Sequence, residues 1–150
     1  MSKALRVGLI GAGGISRAHL RAYQQFPDQV ELVAVCDISE AAARQRASEA
    51  GVEAVYTDAE AMLRQAPLDA VDICTIHDQH APLAIAAAEA GKHVLVEKPM
   101  ACSLQECRAM VAAADKAGVT LMVAQDQRYR PSYQGVKRLI DEGELGPIRG

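Results

Sequence analysis

The sequence predicts an α/β fold in which helices cover both faces of a doubly wound parallel sheet. Short apolar runs alternate six times with alanine-rich stretches of helical character along the 150 residues. The apolar runs are continuous rather than alternating, as expected of parallel strands that are buried on both faces. Three helical stretches end in a glycine directly before the next apolar run, at Gly51, Gly91 and Gly118, which is typical of a capped helix that is followed by a strand.

The predicted strands lie at residues 6–10, 30–36, 54–56, 70–76, 92–96 and 119–124, and the third is the weakest. Helical stretches join them, so right-handed crossovers are expected. Ser39 is the candidate N-cap of the second helix. Residues 103–106 form a capping box for a later helix, and a final helix is predicted at residues 132–142.

The composition excludes several classes of function. Half of the residues are hydrophobic and 23% are charged, with a net charge of −3 and an isoelectric point near 5.8. Scattered basic residues at this balance argue against nucleic acid or an anionic membrane as a partner. Neither a signal peptide nor a run of the ~18 apolar residues that span a bilayer is evident. The four cysteines show no metal-type spacing, so we expect reduced thiols and a cytoplasmic protein.

A glycine-rich turn follows the first predicted strand and opens a helix, which is the context in which such turns bind dinucleotides. Its sequence is Gly11-Ala12-Gly13-Gly14-Ile15-Ser16. Gly11 permits the tight turn and Gly13 lets the backbone approach a pyrophosphate. Free N–H groups of the turn, including Gly14 and Ile15 at the positive end of the helix, are expected to bind the phosphates.

Asp37 ends the second predicted strand at the distance from the turn where a carboxylate binds the ribose hydroxyls of a dinucleotide. Ile38 beside it is included in the candidate cofactor site. A helix-capping acid is the alternative for Asp37, although Ser39 is the better N-cap candidate. An aspartate repels a 2′-phosphate, and Arg44 and Arg46 lie further along the helix. The sequence therefore favours NAD over NADP.

A lysine follows the fifth predicted strand, in the segment Val94-Leu95-Val96-Glu97-Lys98-Pro99. A lysine at the end of a buried strand can direct its ammonium toward a ligand at that edge of the sheet. Pro99 biases Lys98 toward an extended backbone. The alternative is a surface lysine at an ordinary strand end.

With the glycine turn, Asp37, residues 75–80 and Glu97-Lys98-Pro99 in that order, the chain resembles the Gfo/Idh/MocA oxidoreductase family. Residues 91–99 carry the resemblance most specifically. It implies a Rossmann-type dinucleotide-binding domain and hydride transfer between NAD and the carbinol carbon of a sugar, polyol or inositol. It also implies a second α/β substrate domain, absent from this chain. Residues 1–124 would then be the Rossmann core, and residues 125–150 an inter-domain segment and helix leading toward that domain.

The resemblance also assigns roles to single residues. Lys98 would be the catalytic residue that hydrogen-bonds the reacting oxygen, either as a neutral base or as a cation that stabilises a developing alkoxide. Glu97 would help to place the lysine or the nicotinamide ribose, and both Glu97 and Lys98 are included among the expected cofactor-binding residues. The loop after the fourth strand would contact the nicotinamide half of the cofactor through Thr75, Ile76, His77 and His80.

Four assignments keep an alternative. The family often has Thr-Pro-Asn where this chain has Thr75-Ile76-His77. His77 and His80 could be two metal ligands, but no third ligand is evident, and no metal is expected. Arg128 could reach the cofactor or substrate from the end of the sixth strand, or could equally be solvated. His19 is expected to be a packing or capping residue rather than a catalyst.

Family enzymes supply a second acid/base group, most substrate contacts and the usual oligomer interface from their second domain. The resemblance therefore implies that the 150-residue chain binds NAD weakly and is nearly inactive alone, and that intact members are homo-oligomers acting on carbohydrate-like substrates. Two other hypotheses remain open: a non-catalytic NAD-binding or nucleotide-sensing module, and another Rossmann-like enzyme such as a methyltransferase. The last of these does not explain Lys98-Pro99.

Overall fold

The computed structural model describes residues 3–148 and contains the predicted α/β fold. Its strands are β1 (Leu5–Ile10), β2 (Val30–Cys36), β3 (Val55–Tyr56), β4 (Ala70–Ile73), β5 (His93–Val96) and β6 (Leu121–Val123). They form one parallel sheet in the order β3-β2-β1-β4-β5-β6. This order is that of a Rossmann fold, so the predicted doubly wound sheet is confirmed.

The helices are α1 (Ser16–Tyr23), α2 (Glu40–Ala50), α3 (Ala59–Gln65), α4 (His80–Glu89), α5 (Leu104–Ala117) and α6 (Pro131–Asp141). Short 3₁₀ turns precede α4 at His77–Gln79 and α6 at Asp126–Tyr129. Among residues 3–148, none of these helices combines the length and the apolar character that crossing a membrane requires.

The predicted N-caps and cap glycines are confirmed, whereas the capping box is only half formed, because Glu106 Oε2 accepts from the N–H of Cys102 at 3.1 Å instead of from that of Ser103. The Ser39 hydroxyl accepts from the N–H of Ala42 at 3.3 Å, and the Ser103 hydroxyl accepts from the N–H of Glu106 at 3.2 Å. The three predicted cap glycines, Gly51, Gly91 and Gly118, have φ angles of 70°, 71° and 67°. This left-handed conformation turns the chain out of each helix and back toward the sheet.

Two predicted strands are shorter by more than one residue in the structure. The fourth ends at Ile73 rather than at residue 76, and the sixth covers Leu121–Val123 rather than residues 119–124. Single hydrogen bonds continue past these bounds, for example from the N–H of Cys74 to the carbonyl of Ile10 at 2.7 Å. The apolar sequence therefore extends further than the regular ladder, because the chain turns away at the edge of the sheet.

The sheet is buried on both faces by helices. One cluster packs apolar residues of α3, α4 and α5, including Met62, Ala84 and Met110, against the central strands. A second cluster packs Ala43 and Ala47 of α2 against Val35. Right-handed crossovers explain this division, because β1, β2 and β3 progress in one direction from the centre and β4, β5 and β6 in the other.

The direction of progression reverses between β1 and β4, and the two strands are held close together at this point. Gly11, directly after β1, has a φ of +97°, and a Cβ built on it would lie 2.6 Å from the carbonyl carbon and oxygen of Cys74. Only glycine fits this position. In an open parallel sheet such a switch point is where ligands bind.

The helix that follows β6, α6, contains no buried residue. α6 carries Tyr133, Val136 and Ile140 on an exposed face, with 56%, 51% and 39% of their surface accessible. The division into residues 1–124 and 125–150 stays a prediction, and positions 149 and 150 lie outside the described residues.

We predict that Gly11→Ala destabilises the fold by about 2–4 kcal/mol, because the added methyl group meets the backbone of Cys74 and the φ is unfavourable for alanine. Gly14→Ala is the control, since a Cβ there meets no atom within 4 Å. Chemical denaturation measures both. Equal stabilities for the two variants would contradict the close approach of β1 and β4.

Candidate functional site

A cleft of about 480 Å³ opens at the carboxyl ends of the central strands. Eight of the predicted site residues border it: Gly11, Gly13, Gly14, Ile15, Asp37, Ile38, Thr75 and Ile76. Residues that the sequence analysis did not single out complete the wall: Ile10, Cys36, Thr57, Ala59, Cys74, Gln79 and Leu83. The lining is mostly apolar, with a few polar groups, which is typical of a cofactor cleft.

The glycine turn leaves its backbone open to the cleft. A Cβ built on Gly13 or Gly14 would meet no atom within 4 Å. α1 begins directly after the turn, with no side-chain hydrogen bond at its N-cap Ile15 and no acidic residue in its first turn. Its first N–H groups are therefore free of side-chain caps and can bind an anion.

Asp37 is held by two backbone donors. Its Oδ2 accepts from the N–H of Ala12 at 2.7 Å, and its Oδ1 accepts from the N–H of Ser39 at 2.8 Å. The side chain that caps α2 is that of Ser39. Asp37 is therefore not the N-cap of this helix. The carboxylate borders the cleft, with further lone pairs available to a ligand.

The register of β4 and β5 brings Thr75 and Lys98 to the same edge of the sheet. Ile73 of β4 pairs with Val96 of β5. Thr75 and Lys98 each lie two positions after these paired residues, so they leave the sheet side by side. Lys98 is exposed, with 58% of its side chain accessible, and its Nζ lies 3.8 Å from Glu97 Oε2. Lys98 does not border the cleft itself. It follows β5, which is the neighbour of β4, and Thr75 follows β4.

His80 is fully buried and contacts both the loop after β4 and the loop after β5. Its Nδ1 lies 2.8 Å from the carbonyl of Pro99, and its Nε2 lies 3.2 Å from the carbonyl of Thr75. Both ring nitrogens thus face backbone carbonyl oxygens. The side chain holds the loops together, and it is not placed as a direct contact of a ligand in the cleft.

His77 and Arg128 also lie outside the cleft wall. The rings of His77 and His80 meet edge to face with centroids 5.6 Å apart, and the nitrogens of His80, which face backbone carbonyl oxygens, give no support to a shared metal ion. Arg128 is exposed and borders a groove against α6 with Tyr133 and Lys137. The structure therefore does not bring Arg128 together with the glycine turn.

A buried polar network lies behind the carboxyl ends of β4 and β5, centred on Asp72. Asp72 is 0% exposed, and its Oδ2 accepts from the Tyr23 hydroxyl at 2.6 Å and faces His19 Nδ1 at 2.8 Å. The Cys74 thiol donates to its Oδ1 at 3.6 Å. Burial raises the pKa of Tyr23 and that of Cys74 well above their ordinary values, so both remain protonated donors.

His19 links this network to the lysine segment. Its Nε2 lies 3.1 Å from Glu97 Oε1, and Glu97 Oε2 accepts from the N–H of Lys98 at 2.9 Å. The hydrogen bond to Asp72, together with the nearby Glu97 carboxylate, raises the pKa of His19 to about 9. A protonated imidazole donates to both carboxylates at once. His19 is thus not a capping residue, because its ring bridges two buried acids.

The ligand atoms of His19, Asp72 and Cys74 lie within 4.8 Å of one another. Such a group can hold a metal ion, but here His19 and Cys74 are both hydrogen-bonded to the carboxylate of Asp72. No buried side-chain nitrogen or oxygen within residues 3–148 lacks a hydrogen-bond partner. Hydrogen bonding within the protein therefore accounts for the cluster.

The sequence carried signals for part of this network. Asp72 is a charged residue inside an apolar run, which is unusual for a central strand, and His19 and Tyr23 stand four residues apart on one helix face. Their partner could not be identified without the fold, because Glu97 lies 78 residues from His19 along the chain.

Residues 5–125 match the Gfo/Idh/MocA oxidoreductase family, described as having an NAD-binding Rossmann fold. The chain is 42% identical over 144 residues to a D-apiose dehydrogenase of Paraburkholderia graminis, covering 96% of this chain and 38% of that protein. It is 37% identical over 145 residues to an inositol 2-dehydrogenase of Klebsiella pneumoniae, covering 95% and 43%. The chain thus spans about two fifths of the length of these relatives.

Two solved structures share the fold closely. The WlbA dehydrogenase of Bordetella pertussis, in complex with NADH and UDP-GlcNAcA, superposes with a TM-score of 0.93 at 37% identity over 97% of this chain and 44% of that one. The scyllo-inositol dehydrogenase of Lactobacillus casei, with bound NAD(H) and scyllo-inositol, gives a TM-score of 0.90 at 26% identity over 97% and 43%.

We predict that His19 titrates near pH 9 and that its protonation stabilises the fold. Because the folded pKa is raised above the ordinary 6.5, this stabilisation is complete below about pH 6.5 and is lost as the pH rises through about 9. The loss can reach roughly 3 kcal/mol. Denaturation of the wild type and of His19→Gln across this pH range measures it.

The exposed His77 provides a control for His19. His77→Gln should keep the decline in stability, and His19→Gln should remove it. An NMR titration that places the imidazole of His19 near its ordinary pKa would contradict the bridging role.

Proposed function

Because this chain belongs to the Gfo/Idh/MocA oxidoreductase family, we propose that it forms the cofactor-binding part of an NAD-dependent dehydrogenase. The observation that carries the proposal is the cleft, in which an open glycine turn and a ribose-type carboxylate border the same space. The two solved relatives, the WlbA dehydrogenase and the scyllo-inositol dehydrogenase, hold NADH and NAD(H) respectively. NAD would occupy the cleft with its two halves on either side of the switch point between β1 and β4.

In this proposal the pyrophosphate of NAD binds the N–H groups of Gly13 and Gly14, which border the cleft. Asp37 accepts hydrogen bonds from the hydroxyls of the adenosine ribose, and Ile38, 96% exposed, covers the adenine. The nicotinamide half extends toward Thr75 and Ile76 at the end of β4. The cleft itself is mostly apolar, which suits the flat ring systems at both ends of the cofactor.

Lys98 is the proposed catalytic residue because it follows β5 beside the loop that would hold the nicotinamide. Its ammonium is exposed toward solvent, as a group that meets a substrate must be. It would hydrogen-bond the oxygen on the carbon that loses or gains hydride, so that charge developing on that oxygen is stabilised. Glu97 positions Lys98 by accepting its backbone N–H at 2.9 Å.

His77, His80 and Arg128 have weaker support as cofactor contacts. His80 acts through the carbonyls that it holds, and His77 lies next to the cleft wall without bordering it. Arg128 would need a ligand that extends to the groove against α6. We therefore propose direct cofactor contact for the glycine turn, Asp37, Ile38 and the Thr75 loop, and a positioning role for His80.

The substrate class proposed is a sugar, a polyol or an inositol, oxidised at a carbinol carbon. Relatives of this chain are named for D-apiose and inositol, and one solved relative holds UDP-GlcNAcA. Substrate contacts would come from a further domain, since these relatives are more than twice as long as the matched region. The exposed apolar face of α6 suits the segment that leads toward that domain.

We predict a preference for NAD over NADP of at least about tenfold, equivalent to about 1.4 kcal/mol, because the Asp37 carboxylate repels a 2′-phosphate. Isothermal titration calorimetry with both cofactors measures it. Asp37→Ser should bind NAD more weakly and lose most of the preference. Glu40→Gln is the matched control, since this nearby carboxylate pairs with Arg44 on the exposed face of α2. Equal affinity of the wild type for both cofactors would exclude the assigned role of Asp37.

A second prediction concerns Lys98. In the full-length enzyme, Lys98→Met should lower turnover about 10²- to 10⁴-fold while NAD affinity changes little, because the lysine meets the substrate rather than the cofactor phosphates. Lys116→Met, at an exposed position of α5, is the control. NADH formation with sugars and inositols measures activity. Unchanged turnover in Lys98→Met would favour a non-catalytic NAD-binding module instead.

A further inference from the structure

A buried arginine contacts the glycine turn without bordering the cleft itself. Arg46 of α2 is 3% exposed. Its Nη2 donates to the carbonyl oxygens of Ala12 and Gly13, both at 3.1 Å, and its Nε donates to the Ser16 hydroxyl at 2.9 Å. Its Nη1 pairs with Glu49, which compensates the buried charge. Three of its four partners thus belong to the turn or to the first residue of α1.

The glycine turn has a serine, Ser16, at its third fingerprint position. The third position of this fingerprint is ordinarily glycine or alanine, where the helix packs closely on the strand. Here the Ser16 hydroxyl donates to the carbonyl of Gly13 at 2.7 Å and accepts from Arg46. The Gly13 carbonyl therefore receives two side-chain donors, and Ser16 and Arg46 act as one unit.

Because Arg46 holds the carbonyls of Ala12 and Gly13, peptide geometry also determines where the N–H groups of the next residues point. The carbonyl of Ala12 shares a peptide plane with the N–H of Gly13, and the carbonyl of Gly13 shares one with the N–H of Gly14. Both planes are trans, since the one cis bond among residues 3–148 precedes Pro99. In a trans peptide the C=O and N–H point in opposite directions. Holding both carbonyls on Arg46 therefore directs both N–H groups away from it.

Arg46 does not border the cleft, whereas the glycine turn does. Gly13 and Gly14 both border it, and neither would bring a Cβ within 4 Å of another atom. A donor that binds each carbonyl also polarises the peptide and strengthens the N–H on its far side as a donor. The guanidinium thus orients and strengthens the two groups that the proposed function assigns to the pyrophosphate, without touching the ligand.

We propose that Arg46 and Ser16 are positioning residues that direct the N–H groups of Gly13 and Gly14 at the phosphates of the cofactor. The inference rests on the proposed function and adds to it that NAD affinity depends on a side chain outside the cleft. A planar guanidinium reaches two carbonyls and a hydroxyl at once, whereas a lysine ammonium lacks that fixed fork. Arg46→Lys should therefore restore only part of what Arg46→Met loses.

The test is the affinity of the 150-residue chain for NAD, measured by isothermal titration calorimetry well below the melting temperature of each variant. Arg46→Met should weaken binding about tenfold to a hundredfold, as expected when two charge-assisted hydrogen bonds lose their orientation. Ser16→Ala should weaken it by a smaller factor, about threefold, since Arg46 still holds both carbonyls. NMR signals of the Gly13 and Gly14 amides should shift on NAD addition in the wild type and much less in Arg46→Met.

Two controls separate positioning from general stability and charge. Met110→Ala creates a cavity in the core at a residue that is 1% exposed and does not border the cleft, so it should lower the melting temperature and leave NAD affinity unchanged. Arg44→Met removes a positive charge from the exposed face of α2 and should also leave affinity unchanged.

If Arg46→Met binds NAD within twofold of the wild type, or if Met110→Ala loses as much affinity, the positioning role is overturned and the proposed function stands. If the wild type itself binds no NAD at millimolar concentration, the proposed function fails.

Discussion

The close approach of Gly11 to the backbone of Cys74 is the constraint on which the rest of the site depends. It joins β1 and β4 where the sheet changes direction, and no side chain fits between the two strands. On one side of this contact lie the glycine turn and Asp37. On the other side, Cys74 leads to the loop of Thr75, and through Asp72 to the network behind Lys98. A larger residue at position 11 would separate the two halves of the cleft.

Each half is supported by a charged side chain outside the cleft wall, the buried Arg46 and the partly buried His19. Arg46 holds the glycine turn from the side of α2, and His19 holds Glu97 from the side of α1. Buried charges cost free energy unless they are paired and hydrogen-bonded, so they are poor devices for stability alone. What they provide is direction: planar groups with several donors determine the orientation of the backbone or carboxylate groups that they contact.

The fold could be predicted from the sequence almost completely because its signals are local. Continuous apolar runs, glycines after helices and the capping residues Ser39 and Ser103 each depend on neighbours within a few positions, and all were confirmed. Family membership was equally readable, since the glycine turn and residues 91–99 are short contiguous motifs. Strand ends were less certain, because apolar sequence continues past the last regular hydrogen bond.

By itself the sequence determined the fold class, the family and eight of the residues that border the cleft. Only the tertiary structure decided what supports them. Arg46 and Ser16 stand 30 positions apart, and Asp72 and His19 stand 53 apart, so no local pattern joins them. It also separated Arg128 from the cleft and buried His80. Side-chain contacts between distant segments depend on how helices pack on the sheet, and composition and spacing do not encode that packing directly.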